Sequence, residues 1–269
     1  SEKRVIERYS NFNSRNNMNA PPQRLVSMVS GTVFQDFLSC TDYIMCIGEE
    51  GNESYKSYSS HGKIVLPFFP GVSREISFSP HFFKTRHLSH FLCFAGNGLI
   101  CKGVDLLVEA FAKTPAKTLH ICGPKTEAPF FSKYDDIINN SPNIHYHGFI
   151  SPSSKEFLKL AGLCSYVIFH SAAEGLATSV ATAMRAGLVP VLNSWSGIIH
   201  EDFGVPLEEE GDLIENVIAG VKKTSLITPD SYREMVFKTL NKSLDYTQSS
   251  FTHSYSSCIL KILENENSI

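Results

Sequence analysis

Two short stretches of this chain hold residue types whose spacing could do chemistry on one ligand. The first is Gly96-Asn97-Gly98 followed by Lys102-Gly103, straight after an apolar run. A diphosphate needs close donors, and a glycine-rich turn with free amides plus one lysine supplies them. The alternative, a solvated lysine at a helix start, is disfavoured because cations suit the other end of a helix. The second is Glu174, where the apolar run 166–169 hands over to a helix. Its plainest role would be to complement the helix dipole. In open parallel sheets, however, ligands sit at the carboxyl ends of the strands, where helix N-terminal amides attract phosphate. A carboxylate there would repel phosphate and is better suited to gripping hydroxyls of an attached group. Together the two stretches imply a nucleotide-linked sugar as the ligand.

Other patterns imply less. His145 and His147 alternate in a strand and share a face, but no third ligand is evident, so no metal is expected. Gly96-Asn97-Gly98 begins like a dinucleotide fingerprint, yet Cys101 stands where the third glycine belongs. The next strand ends at Cys122-Gly123-Pro124, without an acid to hold a ribose. A nicotinamide cofactor is therefore not expected, nor any other cofactor. The chain has no G-x-S-x-G, which disfavours a serine hydrolase.

The elements that must position these groups follow from periodicity. Residues 165–193 read as a right-handed βαβ unit. It comprises a β-branched run at 166–169, a helix over 174–186 stopped by Gly187, and a second buried run at 189–192. Val180, Ala183, Met184 and Gly187 have the spacing of a packing face. Further strands are predicted at 91–95, 118–122 and 144–147, alternating with helices, which is the signature of a doubly wound α/β sheet. The helix after Lys102 presents Val104, Leu107, Val108 and Phe111 to the core. A later one opens with Ser153 and Glu156 as a capping box and buries Phe157, Leu160, Ala161 and Cys164. Another begins at Thr228-Pro229, a cap followed by a first-turn proline. The last helix is expected to bury Phe251, Tyr255, Cys258, Ile259 and Ile262. Upstream, residues 1–40 are weakly patterned and read as loop plus a helix over 23–38. A strand at 43–47, a helix at 49–59 and a strand at 63–66 follow, and residues 76–90 read as a linker.

Glu174-Gly175-Leu176-Ala177, then Ala183-Met184 and Gly187-Leu188-Val189-Pro190-Val191, resemble a known signature in order and spacing. It is that of retaining, GT-B-fold glycosyltransferases of family 4, in which E-G-F-G precedes E-A-M and G-x-P-V. The resemblance, firm over 91–225, implies a GT-B-type Rossmann-like doubly wound parallel sheet forming the C-terminal, donor-binding half. It implies catalytic roles for Lys102 and Glu174, with Gly96, Asn97 and Gly98 at the diphosphate and amides near Ala177 and Thr178 facing phosphate. Phe149, in Gly148-Phe149-Ile150, would lie at the nucleobase unless its ring belongs to the core. Gly197 resembles the glycine of a sugar-side loop, where Trp195 is unusual.

The departures are specific. Asn97 stands where an arginine is usual, Ala177 where a second glycine is, and Thr182 where a second glutamate accepts ribose hydroxyls. Eight positions along one helix would put Glu174 and Thr182 on the same, ligand-facing side. The implied reaction is transfer of a sugar, with retention, from a nucleotide-diphosphate donor to a glycan or lipid-linked acceptor. No metal is implied, and there is no D-x-D. Lys63 to Val72 is similar to the end of the family's first half. Residues 1–75 would then be a remnant of the acceptor-side domain, followed by the linker 76–90, the donor-binding domain 91–245 and a C-terminal helix 246–269. Rival functions are a sugar-nucleotide epimerase of the same fold and a non-catalytic sugar-nucleotide-binding module.

Composition bounds the partners. The 269 residues, 42% hydrophobic, suffice for one large or two small domains. A net charge of −3 leaves no basic footprint for nucleic acid. No apolar run reaches membrane-spanning length and residues 1–30 lack a signal-peptide core, which leaves peripheral membrane contact open. Seven scattered cysteines without a C-x-x-C pair indicate a reduced, cytoplasmic protein.

Overall fold

The computed structural model describes residues 2–22, 32–56, 64–72 and 76–266. The first part holds α1 (Glu2–Asn16), α2 (Thr32–Ser39), β1 (Tyr43–Ile47), α3 (Gly48–Tyr55) and β2 (Ile64–Phe68). Then come α4 (Phe82–Thr85), β3 (His87–Phe94), α5 (Val104–Ala112), β4 (Thr118–Cys122), α6 (Ala128–Asn140) and β5 (Ile144–Tyr146). The rest is α7 (Lys155–Leu163), β6 (Cys164–Phe169), α8 (Thr178–Arg185), β7 (Val189–Leu192), β8 (Val205–Pro206), α9 (Leu213–Lys223), α10 (Pro229–Lys242) and α11 (Gln248–Glu266).

Strands β3 to β8 form one parallel sheet in the order β5-β4-β3-β6-β7-β8. Every residue of β6 and β7 is buried, as expected of strands covered on both faces. Helix α5 buries Val104, Leu107, Val108 and Phe111, and α7 buries Phe157, Leu160 and Ala161, the faces their spacing predicted. Gly187, at φ 78°, ends α8 in the left-handed conformation that glycine adopts without strain. Thr228 caps α10 before its proline, as predicted. The cap of α7 is Ser154 rather than Ser153: its hydroxyl accepts from the Phe157 amide at 3.1 Å, which shifts the helix start by one residue and leaves Glu156 outside a capping box.

The flanks depart from expectation. Residues predicted as loop form α1, a helix of four turns whose Val5, Tyr9 and Phe12 enter the same core as β3 to β7. Their spacing of four and three is helical, but the Asn and Ser around them have weak helix propensity, so tertiary burial decides. Of the helix predicted over 23–38, residues 23–31 lie outside the described residues and α2 supplies the rest. The expected linker is ordered around Arg86. Its guanidinium donates to the carbonyls of Ala161 (3.0 Å), Gly187 (2.7 Å) and Ala186 (2.5 Å), and it lies against the rings of Phe78 and Phe82. β3 begins immediately afterwards, four residues earlier than predicted. Helix α11 buries only Cys258 of its predicted face, because it lies on the small two-stranded sheet β1–β2, where Phe68 meets Phe251 and Tyr255.

His145 and His147 join an array that runs across β3, β4 and β5. Nitrogens of His90 and His120 lie 3.0 Å apart, as do those of His120 and His147, and His145 lies 5.1 Å from His120 between ring centres. The rings face one another, and among the described residues no group of three or more His, Cys, Asp or Glu is arranged to hold a metal ion. Burial, reinforced by neighbouring imidazoles, pushes His120 from 6.5 down to about 3, and lowers His90 and His147 as well. Groups lowered in this way bind fewer protons folded than unfolded. Their contribution to stability is therefore present above about pH 6.5 and is lost as pH falls toward the folded values. Thermal melts between pH 7.5 and 5 are expected to show a loss of about 1–2 kcal/mol from His120, and His120→Leu should lose less over the same range.

Candidate functional site

The sheet order sets two loops side by side. β3 pairs with β4 on one side and with β6 on the other, so the loops leaving β3 and β6 adjoin at the carboxyl edge. Lys102 comes from the first loop and Glu174 from the second. They are 72 residues apart in the chain and form a hydrogen-bonded ion pair, with side chains 12% and 10% exposed. The ammonium also sits 5.9 Å over the ring of Phe169. Low exposure strengthens such a pair relative to one in water. The site therefore holds a cation able to receive an anion, and beside it a carboxylate able to accept hydroxyls.

The glycine-rich turn is partly satisfied from within. Gly98 and Gly103 have φ of 82° and 75°, which only glycine adopts freely. Of the amides expected to be free, that of Ile100 donates to Glu127 Oε2 at 3.2 Å, that of Lys102 to Gly98 O at 3.0 Å and that of Gly103 to Ile100 O at 3.0 Å. Glu127, 1% exposed, also accepts the Tyr9 hydroxyl at 2.8 Å, and desolvation raises its carboxyl above the ordinary range. Gly96 and Asn97 are exposed, and Asn97 Oδ1 accepts from the Thr126 hydroxyl at 3.1 Å.

Glu174 lies outside the helix predicted to begin with it. The Glu174 amide donates to Trp195 O and the Ala177 amide to Ser196 O, both at 2.9 Å. The loop after β7 thus holds residues 174–177 out of helical conformation, and α8 begins at Thr178. Gly197 allows this approach: a Cβ built on it would lie 2.4 Å from Gly175 O. The Ala177 amide is consequently engaged, and the first-turn amides of Thr178 and Ser179 are the ones without an intrahelical acceptor. The two-turn relation between Glu174 and Thr182 also fails. Thr182 is 7% exposed and its hydroxyl donates to Thr178 O at 2.7 Å, so it closes a bond within α8. Phe149 follows Gly148 (φ 72°) and is 72% exposed, which excludes a core role. Arg8, Tyr9 and Glu127 border the site and escaped sequence reasoning. The apolar spacing of α1 was the one signal that could have found the first two.

Sheet order, ligand edge and ion pair together define a GT-B-type α/β protein. Residues 79–203 match the family described as glycosyl transferases group 1. A search of curated proteins finds no match. Among solved structures, a glycosyltransferase from Rickettsia africae is similar with 12% identity and a TM-score of 0.70, over 97% of this chain and 82% of that one. The catalytic domain of starch synthase IV from Arabidopsis thaliana, bound to ADP and acarbose, gives 14% and 0.64 over 92% and 61%. The pneumococcal O-GlcNAc transferase GtfA, in complex with UDP and GlcNAc, gives 14% and 0.64 over 87% and 48%. The chain spans about half the length of several such structures. Likeness at these identities shows the fold.

The position of Thr182 yields a test. Thr182→Glu would put a carboxylate into a buried helix position, so melting should show a loss of about 1–3 kcal/mol with no gain in ribonucleotide affinity. Thr182→Val, which removes only the intrahelical bond, should cost under about 1 kcal/mol.

Proposed function

We propose that the chain binds a nucleotide-diphosphate sugar and transfers the sugar, with retention and without a metal, to a glycan or lipid-linked acceptor. The observation that carries this reading is the Lys102–Glu174 pair at the junction of β3 and β6, within the residues that match the glycosyl transferases group 1 family. The complexes of similar proteins with UDP and with ADP support the donor class. Lys102 would exchange the Glu174 carboxylate for the donor's diphosphate, and the freed carboxylate would take sugar hydroxyls. As the glycosidic bond breaks, charge grows on the departing diphosphate, where the ammonium and the Thr178 and Ser179 amides would stabilise it. Glu127 on the Ile100 amide and asparagine at position 97 leave fewer donors for phosphate, which supports modest donor affinity. The same features favour, as a second reading, a binding module that does not catalyse transfer. No helix among the described residues is long and apolar enough to cross a membrane.

Two substitutions test the exchange by calorimetry. Lys102→Ala should weaken a nucleoside diphosphate by about 1.5–3 kcal/mol, more than tenfold. Glu174→Gln should leave the bare diphosphate unchanged or tighter, since Lys102 loses its competitor, while weakening the sugar nucleotide. Equal losses for both ligands in Glu174→Gln would assign Glu174 another role. A labelled donor incubated with acceptor separates transfer from epimerisation and from binding alone.

A further inference from the structure

Helix α1 touches three loops at the carboxyl edge of the sheet. Arg4 lies 4.7 Å over the ring of Trp195, in the loop after β7. Tyr9 reaches the turn after β3 through Glu127, which holds the Ile100 amide. Arg8, 3% exposed, reaches the loop after β6: Nη1 donates to His170 O at 2.7 Å and Nη2 lies 3.0 Å from His170 Nδ1. The other ring nitrogen of His170, Nε2, lies 3.0 Å from the carbonyl oxygen of Glu208, which can only accept. Nε2 therefore bears the proton and Nδ1 accepts from Arg8. One guanidinium thus clamps both the main chain and the ring of His170, four residues before Glu174. It also abuts the other loop. A Cβ built on Gly103 would lie 2.3 Å from His170 O and 2.7 Å from Arg8 Nη1, so the residue next to Lys102 is held against the exit of β6.

We propose that Arg8 is a positioning residue of the donor site, setting the spacing between the loop that bears Lys102 and the loop that bears Glu174. The role rests on the donor reading above. Its physical basis is that a site gripping two parts of one ligand needs its two loops held to a fraction of an ångström. Arg8 is suited to this because its planar fork fixes both distance and orientation. Burial with Arg8 alongside holds His170 neutral, pushing it down to about 4.

The test titrates wild type, Arg8→Gln and Arg8→Lys with UDP and with UDP-glucose, and repeats it with the adenine pair. Arg8→Gln keeps a donor for His170 O but loses the fork. UDP-glucose affinity should fall about tenfold or more in Arg8→Gln while UDP falls less than about threefold, with Arg8→Lys in between. The nitrogen resonances of His170 should show the Nε2–H tautomer in wild type and a titration moved toward the ordinary range in Arg8→Gln. Equal loss for both probes, or none, overturns the positioning role. If Arg8→Gln does not fold, Arg8→Lys decides, and binding of both probes as in wild type overturns it. Failure of wild type to bind any of the four probes overturns the donor reading and the positioning role with it. A His170 tautomer still sensitive to position 8 would then show only that Arg8 orders the loop.

Discussion

The pairing of β3 with β6 is the constraint on which the rest of the site depends. It joins strands separated by two βα units, and because every strand is parallel their carboxyl ends finish at one edge. Register does the remainder: Phe91 lies opposite Tyr166, and Leu92 opposite Val167. The loops that follow then meet closely enough for Lys102 and Glu174 to bond across 72 residues of sequence. No local propensity could bring them together. Burial of the strands on both faces stabilises the pairing, and the ion pair is a consequence of it.

Electrostatics at this edge are arranged in pairs held by the backbone around them. Lys102 has Glu174, and Arg15 of α1 bonds both Asp105 and Glu109 of α5. Glu127 accepts from a tyrosine hydroxyl and a backbone amide. Each of these groups has a hydrogen-bond partner, which is the condition for tolerating it in a low-dielectric interior, although Asp105 Oδ1 is buried without one. The bonds of Arg15 and Tyr9 also tie α1 to α5 and to Glu127, so the first helix is part of this edge and not an appendage.

At the opposite end of the strands Arg86 plays the corresponding structural part. It satisfies carbonyls at the end of α8 and in α7, groups that a helix terminus otherwise leaves without partners. The segment read as a linker is thereby a brace, and its own Ile76 is 1% exposed in the core.

Legibility followed the range of the determining interaction. Strands 118–122 and 189–192, the Gly187 stop, the Thr228 cap and the packing face of α5 are written in local periodicity and single-residue conformational preference, so the sequence by itself determined them. It also singled out Lys102 and Glu174, because a lysine after a glycine turn and a carboxylate after a buried strand are unusual where they stand. Only the tertiary structure decided that the two residues bond each other. It also decided that Glu174 and Ala177 are drawn out of the helix by carbonyls of Trp195 and Ser196, that Thr182 turns inward to Thr178, and that Arg8 clamps His170. Except for the Thr182 bond, these join segments brought together by the sheet. Thr182 depends on where α8 begins, which the loop after β7 sets. Such contacts arise from the placement of whole elements, which periodicity cannot encode.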